Sequence, residues 1–413
     1  MKKEKAIYFD HSATTPVDAD VLKAMLPYFS ENYGNPSSVH QFGQRAMAGV
    51  DQARTEAANF LNCATDEVVF TSGATEANNL ALKGVIAALR KKEPGKKLHI
   101  ITSVVEHDSV LEPIAELERS GVEVTHVPVD KNGVVNLKKI EASIKENTAL
   151  VSIMYVNSEV GSIQPIKAIG KSISKINDRR LKDWNNLKPE LRAEKPRPIY
   201  FHTDATQAAN FFSCNTQALY VDLLSLSAHK IYGPKGVGLL YVNKRVALLA
   251  QQLGGHHENN RRSGTINSAG IVGLGRALRN LTPENQEKHS RKIYKLRDLL
   301  AEGLLKNIPG AILNTDRQNA TPAHAHFSFP GVEGETTLIA LDLEGIAVST
   351  GSACASNSLK ASHVLIAMGI KVEVAHTSIR FTLGKHSAPA DVKKLITVLP
   401  PIIKRFRDMS PLK

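Results

Sequence analysis

The sequence predicts an α/β fold, with a large domain built on a mostly parallel sheet flanked by helices and a smaller α+β domain after it. Two observations lead to this expectation. Short apolar runs rich in β-branched residues alternate with amphipathic segments from about residue 67 to residue 243, and this pattern is typical of strand–helix–strand units. Beyond residue 263, long helical segments precede a group of short strands. This order indicates a second domain, of the α+β type.

We place the large domain at residues 16–262. The predicted strands are EVVFT, KLHIITS, VEVTHV, ALVSIMY, IYFHTD, VDLLSLS and GVGLLYV. Because most of these runs are apolar throughout rather than alternating, we expect strands that are buried on both faces of the sheet. Helical segments such as ATEANNLALKGVIAALRK lie between the strands.

The small domain is predicted to comprise residues 1–15 and 263–413. A long amphipathic segment follows residue 270, with a break around Pro283. AHFSFPGV, GIAVSTGS and SIRFTLG are predicted strands. A closing helix is expected to be interrupted at Pro400 and Pro401, because proline removes a helical hydrogen bond.

The composition indicates a soluble cytoplasmic protein. Its 52 Lys and Arg against 40 Asp and Glu give a net charge of +12, which suits an acidic or nucleic-acid partner. However, no nucleic-acid-binding motif is present and aromatic residues make up only 5%, so direct nucleic-acid binding is the weaker interpretation. The sparse cysteines Cys63, Cys214 and Cys354 suit a reducing compartment. No apolar run reaches the roughly 20 residues of a membrane span.

One segment is unusually basic. Residues 171–197 contain nine Lys or Arg, four Asp or Glu, and the only tryptophan, Trp184. A solvated helical excursion explains this composition best. Docking of an acidic partner or RNA is the alternative.

Polar residues follow three of the predicted strands, at the positions where open α/β sheets bind ligands. Gly73, Ala74 and Thr75 begin a helix, and the free amides of such a turn bind phosphate. Helix capping by Ser72 or Thr75 explains the same residues. Asp204 is either a helix N-cap or a buried carboxylate that faces a cationic ring nitrogen.

Lys230 follows the strand VDLLSLS, after Ser227 and His229. Most lysines are solvated surface residues, but the apolar strand before Lys230 favours a partly desolvated amine that can form a Schiff base. Such a lysine, an aspartate for a pyridinium nitrogen and a helix N-terminus for phosphate are the groups that pyridoxal 5'-phosphate requires.

Seven motifs carry a family resemblance: TSGATEANN, YVNSEVG, HTDATQ, SAHKIYGPKGVG, RRSGT, GSACAS and SIRFTLG. They resemble the cysteine desulfurases of the NifS/IscS type, which are fold-type I, pyridoxal-phosphate-dependent enzymes of the class V aminotransferase-like family. The resemblance extends from IYFDHSATTP to about Arg405 and implies a sheet of the seven-stranded type. The long loop GSACASNSLKASHV resembles group I of these enzymes.

The resemblance implies roles for individual residues. Lys230 would hold the cofactor and take the substrate α-proton, His107 would stack on the ring and shuttle a proton, and Cys354 would attack the substrate sulfur. From the residues alone, the preferred interpretation of His107 is a histidine at a helix start. The implied cofactor-binding residues are Ala74, Thr75, His107, Asn157, Asp204, Gln207, Ser227, His229, Lys230 and Thr265, the last from the second subunit of a homodimer. The implied substrate-binding residues are Asn35, Asn157 and Arg380, and no metal is expected.

The implied reaction converts L-cysteine to L-alanine and leaves a persulfide on Cys354. The sulfur would pass to a U-type iron–sulfur scaffold or a tRNA sulfurtransferase relay. A selenocysteine lyase stays an open alternative, whereas the loop cysteine argues against an aminotransferase. An adaptor that keeps the fold without catalysis is disfavoured by the set of Lys230, Asp204 and Cys354.

Overall fold

The computed structural model describes residues 6–188, 195–350 and 361–409. The strands in chain order are β1 (Ile7–Tyr8), β2 (Val68–Thr71), β3 (His99–Ser103), β4 (Glu123–Val127), β5 (Thr148–Ser152), β6 (Tyr200–Asp204), β7 (Leu223–Ser227), β8 (Gly238–Val242), β9 (Ile312–Leu313), β10 (His324–Ser328), β11 (Ile346–Ala347) and β12 (Ser378–Thr382).

The helices in chain order are α1 (Ala19–Met25), α2 (Pro27–Ser30), α3 (Gln41–Leu61), α4 (Ala74–Lys92), α5 (Asp108–Arg119), α6 (Leu137–Ala142), α7 (Ile166–Asn186), α8 (Thr216–Leu219), α9 (Ser268–Arg279), α10 (Pro283–Asn307), α11 (Gly334–Leu343), α12 (His363–Ala367), α13 (Val372–Ala375) and α14 (Pro389–Met409). Short 3-10 helices cover Thr65–Glu67, Ala228–Lys230 and Glu258–Asn260.

The central sheet confirms the predicted α/β fold. Within the described residues it has seven strands, in the order β2-β8-β7-β6-β5-β3-β4. Strand β8 is antiparallel to both of its neighbours, and the other pairs are parallel. Parallel neighbours require helical crossovers, which explains why helices alternate with strands along this part of the chain.

Helices cover both faces of this sheet. Successive side chains of a strand point to opposite faces, so Phe70 of β2 joins one apolar cluster and Val69 joins the other. Helices α3, α7 and α9 contribute to the first cluster, and α4 and α5 contribute to the second. The double coverage explains why these strands are apolar throughout rather than alternating.

A second group of elements surrounds a separate apolar cluster. Strands β12, β10 and β9 form an antiparallel sheet, and β1 pairs in parallel with β11 through Ile7 and Ile346. Helices α10, α11 and α14 pack in the same cluster. Helix α9 belongs to the first cluster instead, although it lies beyond residue 263. The division into two domains stays a prediction.

The structure bears on two predictions about helices, the interruption at Pro400 and Pro401 and the basic segment 171–197. Helix α14 continues through Pro400 and Pro401, so the predicted interruption is wrong. Leu399 and Ile403 on either side of the prolines are buried, and this packing offsets the cost of about 3 kcal/mol for a proline inside a helix. The basic segment begins within α7, which runs to Asn186, and residues 189–194 lie outside the described residues.

Candidate active site

A cavity of about 560 Å³ lies at the carboxyl ends of the central strands. The turns after β2, β3, β6 and β7 contribute to its wall, as does the N-terminal segment 12–14. Nine of the predicted site residues line it: Ala74, Thr75, His107, Asp204, Gln207, Ser227, His229, Lys230 and Arg380. The structure therefore brings together side chains that are up to 306 positions apart in the sequence (from Ala74 to Arg380).

One end of the cavity is formed by the start of helix α4. The first hydrogen bond of this helix runs from the Ala77 N–H to the Gly73 carbonyl, so the amides before Ala77 are not used within the helix. Ser227 and His229 lie on the same wall, at the end of β7. Burial, followed by the charges of Lys230 and a second lysine, lowers the pKa of His229 to about 4. A neutral imidazole and free amides form a donor set that suits a phosphate group.

A buried carboxylate, Asp204, lies at the end of β6. It accepts hydrogen bonds from the Asn78 side chain at 2.8 Å and from the Thr206 amide at 2.9 Å. Within the described ranges, no ion pair to Asp204 is formed. A buried carboxylate with only neutral donors suits a cationic partner in the cavity.

The amine of Lys230 faces the N-terminal segment. Its Nζ donates to the carbonyl oxygen of Ser12 and, at 2.7 Å, to that of Ala13. Gln207 donates to the same Ser12 carbonyl at 2.9 Å. These contacts fix the amine in the cavity between β7 and the segment that precedes α1.

His107 begins a helix and also lines the cavity, and its stacking on the cofactor stays a prediction. It is the N-cap of α5, and its Nδ1 accepts from the Ser109 amide at 3.0 Å. It also lines the cavity. Because Nδ1 accepts this bond, the proton of the neutral ring lies on Nε2.

Arg380 is 6% exposed and is held from two sides. Its Nη2 forms an ion pair with Asp10 at 2.9 Å, and its Nη1 donates to the Ser158 carbonyl at 3.0 Å. Its Nε is buried and has no partner within the described part of the chain. A planar guanidinium with an unused buried N–H suits a carboxylate ligand.

The comparisons with known proteins agree with this site. The family model for class V aminotransferases matches residues 7–180 and 184–395. The chain belongs to this family. It is 45% identical to the cysteine desulfurase IscS of Dictyoglomus turgidum over 413 residues, which is 100% of this chain and 98% of that protein. It is 45% identical to the cysteine desulfurase IscS of Methanosarcina thermophila over 410 residues, covering 99% and 95%.

The solved structure of a NifS-like protein is also similar to this class V enzyme. It superposes with a TM-score of 0.85 at 36% identity, and the match covers 97% of this chain and 100% of that chain. Together with the sequence relatives, it assigns the chain to the NifS/IscS-type members of the class V family, whose cofactor is pyridoxal phosphate. The cavity fits this cofactor, because the amides at the start of α4, the Asp204 carboxylate and the Lys230 amine all line it.

Three predicted site residues of the class V enzyme do not line this cavity. Asn35 and Thr265 are exposed loop residues. The Asn157 amide is used within the protein: it donates to the Val105 carbonyl at 3.0 Å and to the Met154 sulfur at 3.6 Å, and it accepts from the amides of Glu159 and Val160. Cys354 lies outside the described residues. The predicted roles of all four residues stay predictions.

The residues that flank positions 351–360 contact the active-site wall. Before this segment, Ser349 pairs with the backbone of Arg380, with N–O distances of 2.7 and 3.3 Å. After it, the Ser362 hydroxyl donates to the buried Glu159 carboxylate at 2.5 Å. His363 contacts the carbonyl of Glu106, the neighbour of His107, at 3.0 Å. Both flanks of the segment with Cys354 are therefore attached beside the cavity.

Several residues of the site were missed at the sequence level. Ser12 and Ala13 hold Lys230, Asp10 holds Arg380, and Asn78 holds Asp204. Asn78 lies one helical turn after Ala74, so a polar residue on the inward face of α4 was an available signal. In the described residues, no cluster of side chains suits a metal ion, and no helix is long and apolar enough to cross a bilayer.

Proposed function

We propose that the protein is a cysteine desulfurase that converts L-cysteine to L-alanine and takes up the substrate sulfur on Cys354. The observation that carries this proposal is the cavity, in which the Lys230 amine, the Asp204 carboxylate, the α4 turn and Arg380 surround one space. The names of the relatives support the same activity.

The residues present would hold the cofactor at three points. The amides at the start of α4, with Ser227 and His229, would bind its phosphate. Asp204 would keep the ring nitrogen protonated, and Lys230 would hold the aldehyde carbon covalently. Bound pyridoxal phosphate stabilises the negative charge that develops on the substrate α-carbon when its proton leaves.

Three side chains would then act on the substrate. Arg380 would bind the α-carboxylate, because Asp10 and Ser158 fix the plane of its guanidinium and its Nε lacks a partner within the described residues. The Lys230 amine would take the α-proton. His107, whose ring is fixed by Ser109, would donate a proton from Nε2.

Cys354 is the cysteine best suited to receive the sulfur. Burial, with help from Glu67 and Asp66, raises the pKa of Cys63 to about 12. Burial alone raises the pKa of Cys214 to about 12. Neither is a thiolate at neutral pH, and the thiolate is the nucleophile. The Cys354 thiolate would form an S–S bond with the substrate sulfur as the Cβ–S bond breaks, and the electron pair of that bond would end, with a proton, as a C–H bond of alanine.

The reaction is tested by its products. The purified holoenzyme, given L-cysteine and a thiol reductant, should yield equal amounts of L-alanine and sulfide. An aminotransferase would yield alanine only from an added amino donor and oxoacid. If cysteine disappears without alanine, or if selenocysteine alone is turned over, the proposed activity is wrong.

We also propose a homodimer, in which Thr265 of one subunit reaches the cofactor site of the other. A group of exposed apolar side chains that lie close together in the sequence supports the association, and its members are Leu22, Leu26, Phe29, Tyr33, Val39 and Phe42. The rings of Tyr33 and Phe42 lie 5.7 Å apart, and grouped exposed apolar side chains often mark an interface. Sedimentation should give a dimer that Phe29→Glu dissociates and that the control Leu343→Glu, on α11, leaves intact. A monomeric parent protein would contradict the proposal.

The sulfur acceptor is proposed to be a U-type iron–sulfur scaffold or a tRNA sulfurtransferase relay in the cytoplasm. The iron–sulfur route is supported by the relatives named IscS, and the compartment by the sparse cysteines. The basic segment 171–197 is proposed to modulate this docking. Transfer of radiolabelled sulfur to each purified acceptor would identify the route. Deleting residues 187–195, which hold three of the nine Lys and Arg, without any change in transfer would contradict a role for that part of the segment.

A further inference from the structure

A carboxylate lies at the turn that is proposed to bind the phosphate group. Glu76 is in the first turn of α4 and lines the cavity. Its side chain accepts a hydrogen bond from the Ser72 amide at 2.7 Å. A phosphate ester carries about −1.5 to −2 charges at neutral pH, so a bare carboxylate at this turn would repel it and compete for the same amides.

Arg262 forms an ion pair with this carboxylate. Its Nε lies 2.8 Å from one oxygen of Glu76, and its Nη2 lies 3.4 Å from the other. The side chains of Arg262 and Glu76 are 20% and 22% exposed, so solvent screens the pair only in part. Burial would raise the pKa of Glu76, but the hydrogen bonds from Arg262 and Ser72 outweigh it and hold the pKa below its ordinary value. Glu76 is therefore charged, and Arg262 is its counter-ion.

Hydrogen bonds and an ion pair hold the loop that carries Arg262 in place. Glu258, at its centre, forms a bidentate pair with Arg54 at 2.6 and 2.9 Å and accepts from the Phe70 amide of β2 at 2.8 Å. Ser263 donates through its hydroxyl to the Gly255 carbonyl at 2.6 Å. These contacts attach the loop to the strand that leads into the α4 turn, so Arg262 is delivered to Glu76 by a fixed backbone.

We propose that Arg262 is a positioning residue of the cofactor site, which cancels the charge of Glu76 so that the turn 72–75 can bind a phosphate group. The pair lets a carboxylate order the turn, through the Ser72 amide, without repelling the ligand. This inference depends on the pyridoxal-phosphate cofactor of the family and not on the proposed desulfurase reaction.

The test is a titration of the full-length apoprotein with two ligands, pyridoxal phosphate and pyridoxal, followed by absorbance. Arg262→Ala should weaken binding of pyridoxal phosphate about tenfold, the effect of one partly screened like charge. Pyridoxal, which lacks the phosphate, should bind as it does to the parent protein. Arg262→Lys, which keeps the charge, should retain most of the affinity.

The double variant Glu76→Gln/Arg262→Ala separates charge from tethering. It lacks both charges but also lacks the ion pair that attaches the loop, and the proposal predicts that it recovers most of the lost affinity. Arg261→Ala is the matched control, because Arg261 donates to the Asp66 carbonyl at 2.8 Å and does not contact Glu76.

Three results would overturn the proposal. The first is unchanged affinity of Arg262→Ala for pyridoxal phosphate, and the second is an equal loss for pyridoxal. The third is a double variant as weak as Arg262→Ala, which would assign the effect to the loop. Thermal unfolding of each apoprotein identifies any variant that fails to fold, and Arg262→Lys then decides alone. No readout involves turnover, so failure of the desulfurase proposal would leave these results intact.

Discussion

Replacing Glu159 with alanine removes one attachment of the chain that follows Cys354. The Ser362 hydroxyl donates to the Glu159 carboxylate at 2.5 Å, and the same hydroxyl caps α12 by accepting from the Leu365 amide at 3.2 Å. Glu159 and Ser362 are both buried, at 6% exposure. In the alanine variant the helix cap is retained and His363 still contacts the Glu106 carbonyl, but the hydrogen bond from Ser362 to the wall is lost.

The size of the effect follows from this one bond. A buried hydrogen bond contributes about 1–3 kcal/mol, with the upper end for a charged partner. If the attachment serves to keep Cys354 within reach of the substrate, its loss should slow persulfide formation about five- to 150-fold. Lys230 would take the α-proton and Arg380 would bind the α-carboxylate. Both residues lie on other elements, so removal of the α-proton should be unaffected.

Two measurements on the same holoenzyme separate these steps. Exchange of the cysteine α-proton with deuterated solvent reports proton removal, and rapid-quench mass spectrometry of the Cys354 peptide reports persulfide formation. Glu159→Gln keeps a side-chain oxygen that can accept the hydrogen bond from Ser362, so it should retain both rates. If Glu159→Ala slows both steps equally, or neither, the attachment does not position Cys354.

Three further predictions concern other parts of the site. Lys230→Ala should lose the visible band of the lysine-bound cofactor and all α-proton exchange, because this amine is the one proposed to hold the cofactor and to take the α-proton; retained exchange would contradict this role. Arg380→Lys should raise the KM for cysteine more than tenfold, because a bidentate contact is lost, with kcat less affected; an unchanged KM would contradict carboxylate binding. Burial raises the pKa of Glu106 from 4.5 to about 8, so the folded state keeps a proton that the unfolded state releases. Stability should therefore fall as pH rises from about 4.5 to 8, and urea unfolding of apo Glu106→Gln should show a flatter decline; an equal decline would refute the cause.

The sequence was sufficient for features that depend on local pattern. Lys230 and Asp204 each follow a fully apolar strand, and the ends of parallel strands meet at one edge of a sheet. Their presence in one cavity could therefore be predicted without the structure. The strands of the central sheet followed from the same alternation of apolar runs and helical segments, and the family resemblance implied a sheet of the seven-stranded type.

Long-range contacts were beyond this reasoning. Asp10 and Arg380 are 370 positions apart, and no periodicity connects them. The carbonyl groups of Ser12 and Ala13 that hold Lys230 belong to the backbone, so residue types give no signal for them. The continuous helix through Pro400 and Pro401 was missed for a related reason, because tertiary burial of its neighbours overrides the local preference of proline.

The central claim is that sulfur from cysteine arrives on Cys354. The most direct test treats the holoenzyme with L-cysteine, blocks thiols and persulfides with an alkylating reagent, and maps the extra sulfur by peptide mass spectrometry. We expect one additional sulfur atom on the peptide with Cys354, none on those with Cys63 or Cys214, and no labelled peptide in Lys230→Ala. Extra sulfur on another cysteine, or alanine formation without any persulfide, would contradict it.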